Sequence, residues 1–217
     1  MTARQRIFVT GGTGYVGSRV IPALYAEGHE VVALFRSSSR SKVPSSCIPA
    51  EGNALAGDSY RHHVRGADTF LHLVGVSHPS PAKAREFMEI DLKAGLEAIR
   101  VARESNVNHF VFMSVAHPAP VMQAYIQARV ECEQAIVASH LNSTILRPWY
   151  ILGPGHRWPY VLLPFYKAGE LFPKTRDGAL RLGLLSIHEI VNGLVHVIAN
   201  PSHGVRVLET QDIRRLQ

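Results

Sequence analysis

Cysteine is scarce in this chain: Cys47 and Cys132 are the only two in 217 residues. They follow no metal or redox spacing, which excludes a disulfide-stapled scaffold and a C-x-x-C site. Two unpatterned cysteines suit a reducing compartment, so the cytoplasm is the expected location. No apolar run reaches membrane-spanning length, so no membrane span is expected. The start, Met-Thr-Ala-Arg-Gln-Arg, leads straight into apolar Ile7, Phe8 and Val9 and shows no signal pattern. Twelve histidines are present, yet none falls in H-x-x-x-H or H-E-x-x-H spacing, and no metal site is expected. The net charge is +6 with a pI near 9.6, but lysine and arginine are scattered without a run of five. That distribution argues against a nucleic-acid face. What remains is globular in composition, 46% hydrophobic and 18% charged, and long enough for one domain with a small appendage.

The most informative stretch is residues 7–17, Ile-Phe-Val-Thr-Gly-Gly-Thr-Gly-Tyr-Val-Gly. An apolar strand breaks into Gly12, Gly14 and Gly17, spaced G-x-G-x-x-G, with Gly11 preceding. Val16, Val20 and Leu24 then repeat at helical spacing. Strand, glycine turn and helix in that order is the context in which this motif holds a dinucleotide. One glycine allows the tight turn, one lets the backbone approach a pyrophosphate, and one lets helix and strand pack closely. The phosphates sit on N–H groups at the helix start, where the macrodipole favours negative charge.

Further along, strands and helices alternate. Strands are expected at 6–10, 30–35, 47–50, 69–74, 109–114, 144–146 and 205–208. Helices are expected at 14–27, 57–65, 82–105, 122–139 and from Ser186 to about Ala199. Ser186 and Glu189 form a capping box. Phe87, Ile90, Leu96 and Ile99 are read as the apolar face of 82–105. The alternation predicts an α/β fold, a doubly wound parallel sheet with helices on both faces. The core is placed at 1–147 and a small lobe, completing the sheet and covering a cleft, at 148–217. The stretch 148–178 is rich in proline and glycine and holds Trp149, Tyr150, Trp158, Tyr160, Phe165, Tyr166 and Phe172. This density fits either an aromatic-walled pocket or ordinary packing of a small subdomain.

The end of the second strand selects the dinucleotide. NAD binding uses a carboxylate there for the adenosine ribose hydroxyls. This chain has Arg36-Ser37-Ser38 instead, and a guanidinium pairs well with a 2′-phosphate. NADP is therefore expected over NAD, with NAD possible.

With these residues in hand, the chain resembles the short-chain dehydrogenase/reductase superfamily over nearly its whole length. It is most similar to the atypical and extended branches, including epimerase/dehydratase-like and NmrA-like members. Thr10-Gly11-Gly12-Thr13-Gly14-Tyr15-Val16-Gly17 matches their T-G-G-T-G-x-x-G. Asn53 and Ala54 stand where the family places an acid against adenine. Gly66-Ala67-Asp68 matches the segment before the fourth strand. Leu73-Val74-Gly75 falls where the backbone lines adenine and ribose. Asp91 begins a segment that usually starts with Asn. Arg147-Pro148-Trp149-Tyr150 through Gly155 resembles the stretch facing the nicotinamide. The resemblance implies cofactor contacts from Gly11 to Gly17, Arg36, Ser37, Asn53, Ala54, Leu73 to Gly75, Met113, Ser114, Tyr125, Arg129, Pro148, Trp149 and Tyr150.

The family's catalytic set is Ser/Thr with Tyr-x-x-x-Lys. Here Ser114 ends the fifth strand, and Tyr125 and Arg129 make Y-x-x-x-R on one helix face. Arginine supplies the positive charge and ribose donors of the lysine, but it cannot release a proton. Its charge is expected to lower the Tyr125 pKa. His117, in the loop between, is a candidate surrogate acid. Each of these residues also has a plain reading, Ser114 as a strand cap and Tyr125 as a half-buried aromatic. The resemblance implies an NADPH-dependent oxidoreductase acting on a small carbonyl-type substrate. Two alternatives stand: a non-catalytic NADP(H)-binding redox sensor or accessory subunit, as in respiratory complex I, and a sugar-nucleotide epimerase or dehydratase. The expected partners are a small-molecule substrate or a protein, and the expected state is a monomer or homodimer.

Overall fold

Why a doubly wound sheet forms is visible in the strand side chains. In the computed structural model, which describes residues 4–155 and 161–216, successive residues along each strand feed two separate cores. Phe8, Val32, Leu34, Phe70, Phe110, Phe112 and Ile145 bury on one face. Ile7, Val9, Val31, Ala33, Leu71, Val111 and Leu146 bury on the other. This is the period-2 alternation of strands covered on both sides. The strands are β1 (Arg6–Thr10), β2 (Glu30–Phe35), β3 (Ile48–Glu51), β4 (Thr69–His72), β5 (His109–Met113), β6 (Ser143–Arg147) and β9 (Val205–Glu209). They form one seven-stranded sheet, ordered β3-β2-β1-β4-β5-β6-β9, with every neighbouring pair parallel. Between β6 and β9, Ile151–Leu152 (β7) and Leu185–Ser186 (β8) pair in a second, two-stranded sheet.

The first face is covered by α2 (Arg61–Val64), α4 (Lys93–Glu104) and α5 (Gln123–Ser139); the second by α1 (Gly17–Ala26), α8 (Ile187–Ala199) and α9 (Thr210–Arg215). The segment expected at 82–105 is helical but not uniform. It passes through α3 (Ala84–Glu86) and a π-helical turn at Phe87–Leu92 before α4. Its buried stripe is Phe87, Asp91, Ala94, Gly95, Ala98, Ile99, Val101 and Ala102, whereas Leu96 is 42% exposed. The apolar face drawn through Leu96 is thereby corrected. Phe87 and Ile99 are buried as expected, whereas Leu96 turns outward, and the stripe is completed by the small residues Ala94, Gly95, Ala98 and Ala102, which a search for large hydrophobes passes over. Gly95 has a packing reason: a Cβ there would lie 2.4 Å from Cys132 Sγ on α5.

The segment after β6 holds more helix than its composition announces. Leu163–Leu171 (α6) and Pro173–Arg181 (α7) each carry proline in the first turn. Proline there costs no hydrogen bond, so this proline-rich segment still folds as two short helices. The capping box predicted at Ser186 and Glu189 is present. α9 follows β9 and was not foreseen.

Two histidines inside the sheet couple stability to pH. His72 is fully buried with Nδ1 2.9 Å from Thr10 Oγ1, and burial, reinforced by the Arg129 charge, pushes its pKa to about 3. His109 sits 3.0 Å from Thr144 Oγ1, and burial, with Arg206 adding, lowers it to about 4. The unfolded chain binds these protons near pH 6.5, so stability is complete above that pH and falls as pH drops toward 4. Each histidine contributes a slope of about 1.4 kcal/mol per pH unit in that window. Urea unfolding at pH 7, 5.5 and 4.5 should show this loss. His109→Gln should reduce the slope by about one proton, and an unchanged slope would refute the assignment.

Candidate active site

The carboxyl edge of the sheet gathers the motifs. Gly11 has φ +76, and a Cβ on it would lie 2.6 Å from the Leu73 carbonyl carbon, so only glycine lets β1 end against β4. A Cβ on Gly17 would lie 2.3 Å from the Gly11 oxygen, which fixes the close approach of α1 to its own loop. The start of α1 has no side-chain cap and no acid in its first turn. An uncapped, acid-free helix start beside an exposed Gly14 is a fitting cradle for a pyrophosphate. Tyr15 reaches across from this loop. Its carbonyl accepts from Arg19 at 2.7 Å, its ring lies 4.2 Å from that guanidinium, and its hydroxyl lies against Gly153 beside β7. Thr13 and Val16 complete the turn, with Gly12 packed on Ile21 and Ala33.

At the outer end, Arg36 follows β2 and is exposed, with no hydrogen bond or ion pair from its guanidinium among the described residues. Ser37 is already engaged: its hydroxyl donates to the Glu51 carboxylate at the end of β3. Asn53 is exposed and folds into an Asx turn, its Oδ1 accepting from the Leu55 N–H at 3.0 Å. Ala54 packs beneath it on the core. Leu73, Val74 and Gly75 leave β4 directly beside Gly11.

The inner end is dominated by two buried charge clusters on one stripe of α5, formed by Tyr125, Arg129 and Glu133 at successive fours. Arg129 is 3% exposed. It donates to Asp91 at 2.5 Å, to the Met113 carbonyl at 2.9 Å and to the Val74 carbonyl at 3.2 Å. Asp91, fully buried in the π-helical turn, also accepts from the Val76 N–H at 3.0 Å. Burial pushes its carboxyl above the ordinary range, against the pull of Arg129 and Val76. A Cβ on Gly75 would lie 2.5 Å from Arg129 Nη2, so the loop lies flat on the guanidinium. The arginine is thus spent on protein groups rather than extended toward a ribose.

The second cluster centres on Glu133, which the sequence reading missed. Ser114, 3% exposed, donates its hydroxyl to Glu133 at 2.5 Å. Arg147 donates to the same carboxylate at 2.5 and 3.1 Å and to Glu209 at 2.8 Å. His117 Nε2 stands 3.5 Å from it. A signal for Glu133 existed: it continues the Tyr125–Arg129 spacing by four on a face that must be buried.

Tyr125 itself is half-buried, with its ring 5.0 Å from Phe87 and 5.2 Å from the Arg129 guanidinium. Burial raises its phenol above the usual value, and Arg129 offsets only part of this. The expected lowering does not appear because desolvation outweighs the nearby charge. Trp149 packs with Tyr125 and Leu182 on Val115, Ala119 and Ile126, and lies 5.3 Å from the Tyr150 ring. The Pro148 carbonyl accepts from the Ala116 N–H at 2.9 Å, anchoring that wall. Tyr166 joins it, its phenol raised by burial and partly offset by a hydrogen bond with Trp149. Phe172 is 63% exposed and lines nothing. Trp158 and Tyr160, and the side chain of Phe165, lie outside the described residues.

Comparison with known proteins agrees with this architecture. Residues 7–208 match the NAD dependent epimerase/dehydratase family, and the chain belongs to it. Among curated relatives, the ceramide reductase of Caulobacter vibrioides is 24% identical over 98% of this chain and 66% of its own length. The photosystem II assembly factor Ycf39 of Synechocystis is 24% identical over 66% of this chain and 44% of its own. The chain therefore spans about half to two thirds of the length of such relatives. Among solved structures, the Bordetella bronchiseptica enzyme WbmH in complex with NAD+ superposes with a TM-score of 0.70 at 18% identity, covering 95% of this chain and 75% of that one. DesIV, a dTDP-glucose 4,6-dehydratase from Streptomyces venezuelae with NAD bound, gives 0.68 at 19%, covering 97% and 79%. At these identities the likeness establishes the Rossmann fold alone. No helix among the described residues is long and apolar enough to cross a membrane.

The Arg129–Asp91 pair is open to a double-mutant cycle. Arg129→Met leaves a buried carboxylate without its cation and should cost about 3–5 kcal/mol in chemical unfolding. Adding Asp91→Asn removes the stranded charge and should recover much of that loss. Strictly additive costs would show that the two side chains do not stabilise each other.

Proposed function

We propose that this protein binds a nicotinamide dinucleotide, NADP(H) in preference to NAD(H), and reduces a small carbonyl-type substrate. The glycine cradle, the uncapped start of α1 and the free guanidinium of Arg36 support the binding half of this reading. The nicotinamide ring, when bound, supplies the hydride.

The observation that carries the direction of reaction is the state of Tyr125. The residue is half-buried, and burial makes its phenol hold its proton more tightly than a free tyrosine does. Such a group acts as an acid at neutral pH, donating its proton to a carbonyl oxygen as the carbon is reduced. The Arg129 charge 5.2 Å from the ring then stabilises the phenolate left behind. Ser114 orients no carbonyl by donation while its proton is committed to Glu133, so its part is to hold the strand end beside Tyr125. Trp149, Tyr150 and Tyr166 provide an apolar wall with polar tips for the substrate.

A second reading has its own observation. Arg129 and Ser114, two of the three groups at the proposed catalytic positions, are engaged by Asp91 and Glu133, and of their side-chain polar atoms only Arg129 Nε is left without a hydrogen-bond partner among the described residues. A site so closed suits a non-catalytic dinucleotide-binding protein that reports on or supports a partner.

Turnover separates the two. Purified protein given NADPH and a panel of aldehydes and ketones should oxidise NADPH. Tyr125→Phe should lower the rate by about 10²-fold or more while NADPH binding persists. Binding without turnover on any substrate would move the conclusion to the second reading, and turnover surviving in Tyr125→Phe would remove the proposed acid.

A further inference from the structure

The outer end of the cofactor edge carries an acid that no motif assigns. β2 and β3 run parallel with Phe35 opposite Glu51, and the Gly52 N–H donates to the Phe35 carbonyl at 3.0 Å. The strand ends are therefore tied level, and Glu51 stands beside Arg36 and Ser37, one strand further out than the place of the usual ribose-binding carboxylate. Ser37 donates its hydroxyl to Glu51 across this gap. Both side chains are exposed. Arg36 and Glu51 make no ion pair with each other or with any other described residue. Two opposite charges at one sheet edge, both open to solvent and not neutralising each other, leave room for a ligand that meets both.

We infer that Glu51 is a specificity-determining residue, which discriminates against the 2′-phosphate that Arg36 attracts and accepts a hydrogen bond from a free 2′-hydroxyl. This inference rests on the dinucleotide reading of the glycine cradle. The chemistry is a contest at one position. A 2′-phosphate gains the guanidinium of Arg36 and the neighbouring charges of Arg40 and Lys42 in the turn Ser37–Lys42, but it meets the Glu51 carboxylate. A 2′-hydroxyl forgoes the cations and finds an acceptor. Ser37, with its proton on Glu51, offers the phosphate only an acceptor, so it adds to the discrimination rather than relieving it. A single interaction between exposed charges is worth about 1 kcal/mol and shifts affinity by about five- to tenfold. Neither charge then wins outright. The chain favours NADPH modestly and still takes NADH.

Fluorescence titrations with NADPH and with NADH on wild type, Glu51→Gln and Arg36→Gln test this through binding alone. Glu51 is exposed and outside both cores, so its replacement leaves the fold intact, which a thermal melt checks. Glu51→Gln should widen the preference for NADPH by about five- to tenfold. Arg36→Gln should narrow or reverse it. If both dinucleotides bind and Glu51→Gln leaves their ratio unchanged, the assignment of Glu51 is overturned while the dinucleotide reading stands. If wild type binds neither, both are overturned together.

Discussion

A guanidinium and a carboxylate buried against each other hold together the inner end of the sheet's carboxyl edge. Asp91 is wholly buried and Arg129 nearly so, and a charge in that position is tolerated only with its counter-charge and its hydrogen bonds in place. The bonds they make are long-range. Arg129 binds the carbonyl that ends β5 and the one that follows β4, while Asp91 binds the amide of Val76. Two strand ends and the π-helical turn are thereby fixed to α5 at one point. Gly75 is required because the guanidinium fills the space where a Cβ would stand. The π-helical turn belongs to the same arrangement, since it carries Asp91 on the inward side of a segment whose other inward residues are apolar or glycine.

The second cluster repeats the principle one helical turn further along. Glu133 receives Ser114, Arg147 and the approach of His117, and Arg147 continues to Glu209 at the end of β9. The edge from β5 to β9 is thus joined by charge as well as by strand pairing. In a resemblance-based reading, Ser114 and Arg129 face a substrate and a ribose. Here each is matched with an acid on its own side of the cleft. The pairing has a physical basis: the buried arginine of α5 meets an aspartate carried by the π-helical turn. The larger, permanently charged fork needs a fixed anion that a smaller amine can do without.

How much of this was legible beforehand follows from the range of each interaction. The glycine turn, the strand alternation and the capping box at Ser186 and Glu189 are local, and the sequence displays them within a few residues. Glu133 as partner of Ser114 is 19 residues away and becomes a neighbour only when α5 lies across β5. Glu51 escaped for the same reason, because it reaches Ser37 through the pairing of β2 with β3. The two helices α6 and α7 were hidden by prolines that break a helix in its interior but begin one at its first turn. Leu96 misled because size was weighted over phase; the face that packs is chosen by angle, and small residues filled it.

The two ends of the cleft differ in their electrostatics, and this separates binding from chemistry. At the inner end the buried charges Arg129 and Glu133 are paired with Asp91 and Arg147 within hydrogen-bond distance, and burial makes Tyr125 keep its proton against the pull of Arg129. At the outer end Arg36 is open to solvent and the helix start of α1 is uncapped, so an anionic ligand is drawn there first. A dinucleotide held mainly by its phosphates needs nothing from Arg129, which is free to serve the fold. Under the proposed reading, cofactor binding therefore does not depend on Arg129, and the chemistry is what a protonated tyrosine beside a fixed positive charge can perform, the delivery of a proton to an oxygen that is gaining electrons.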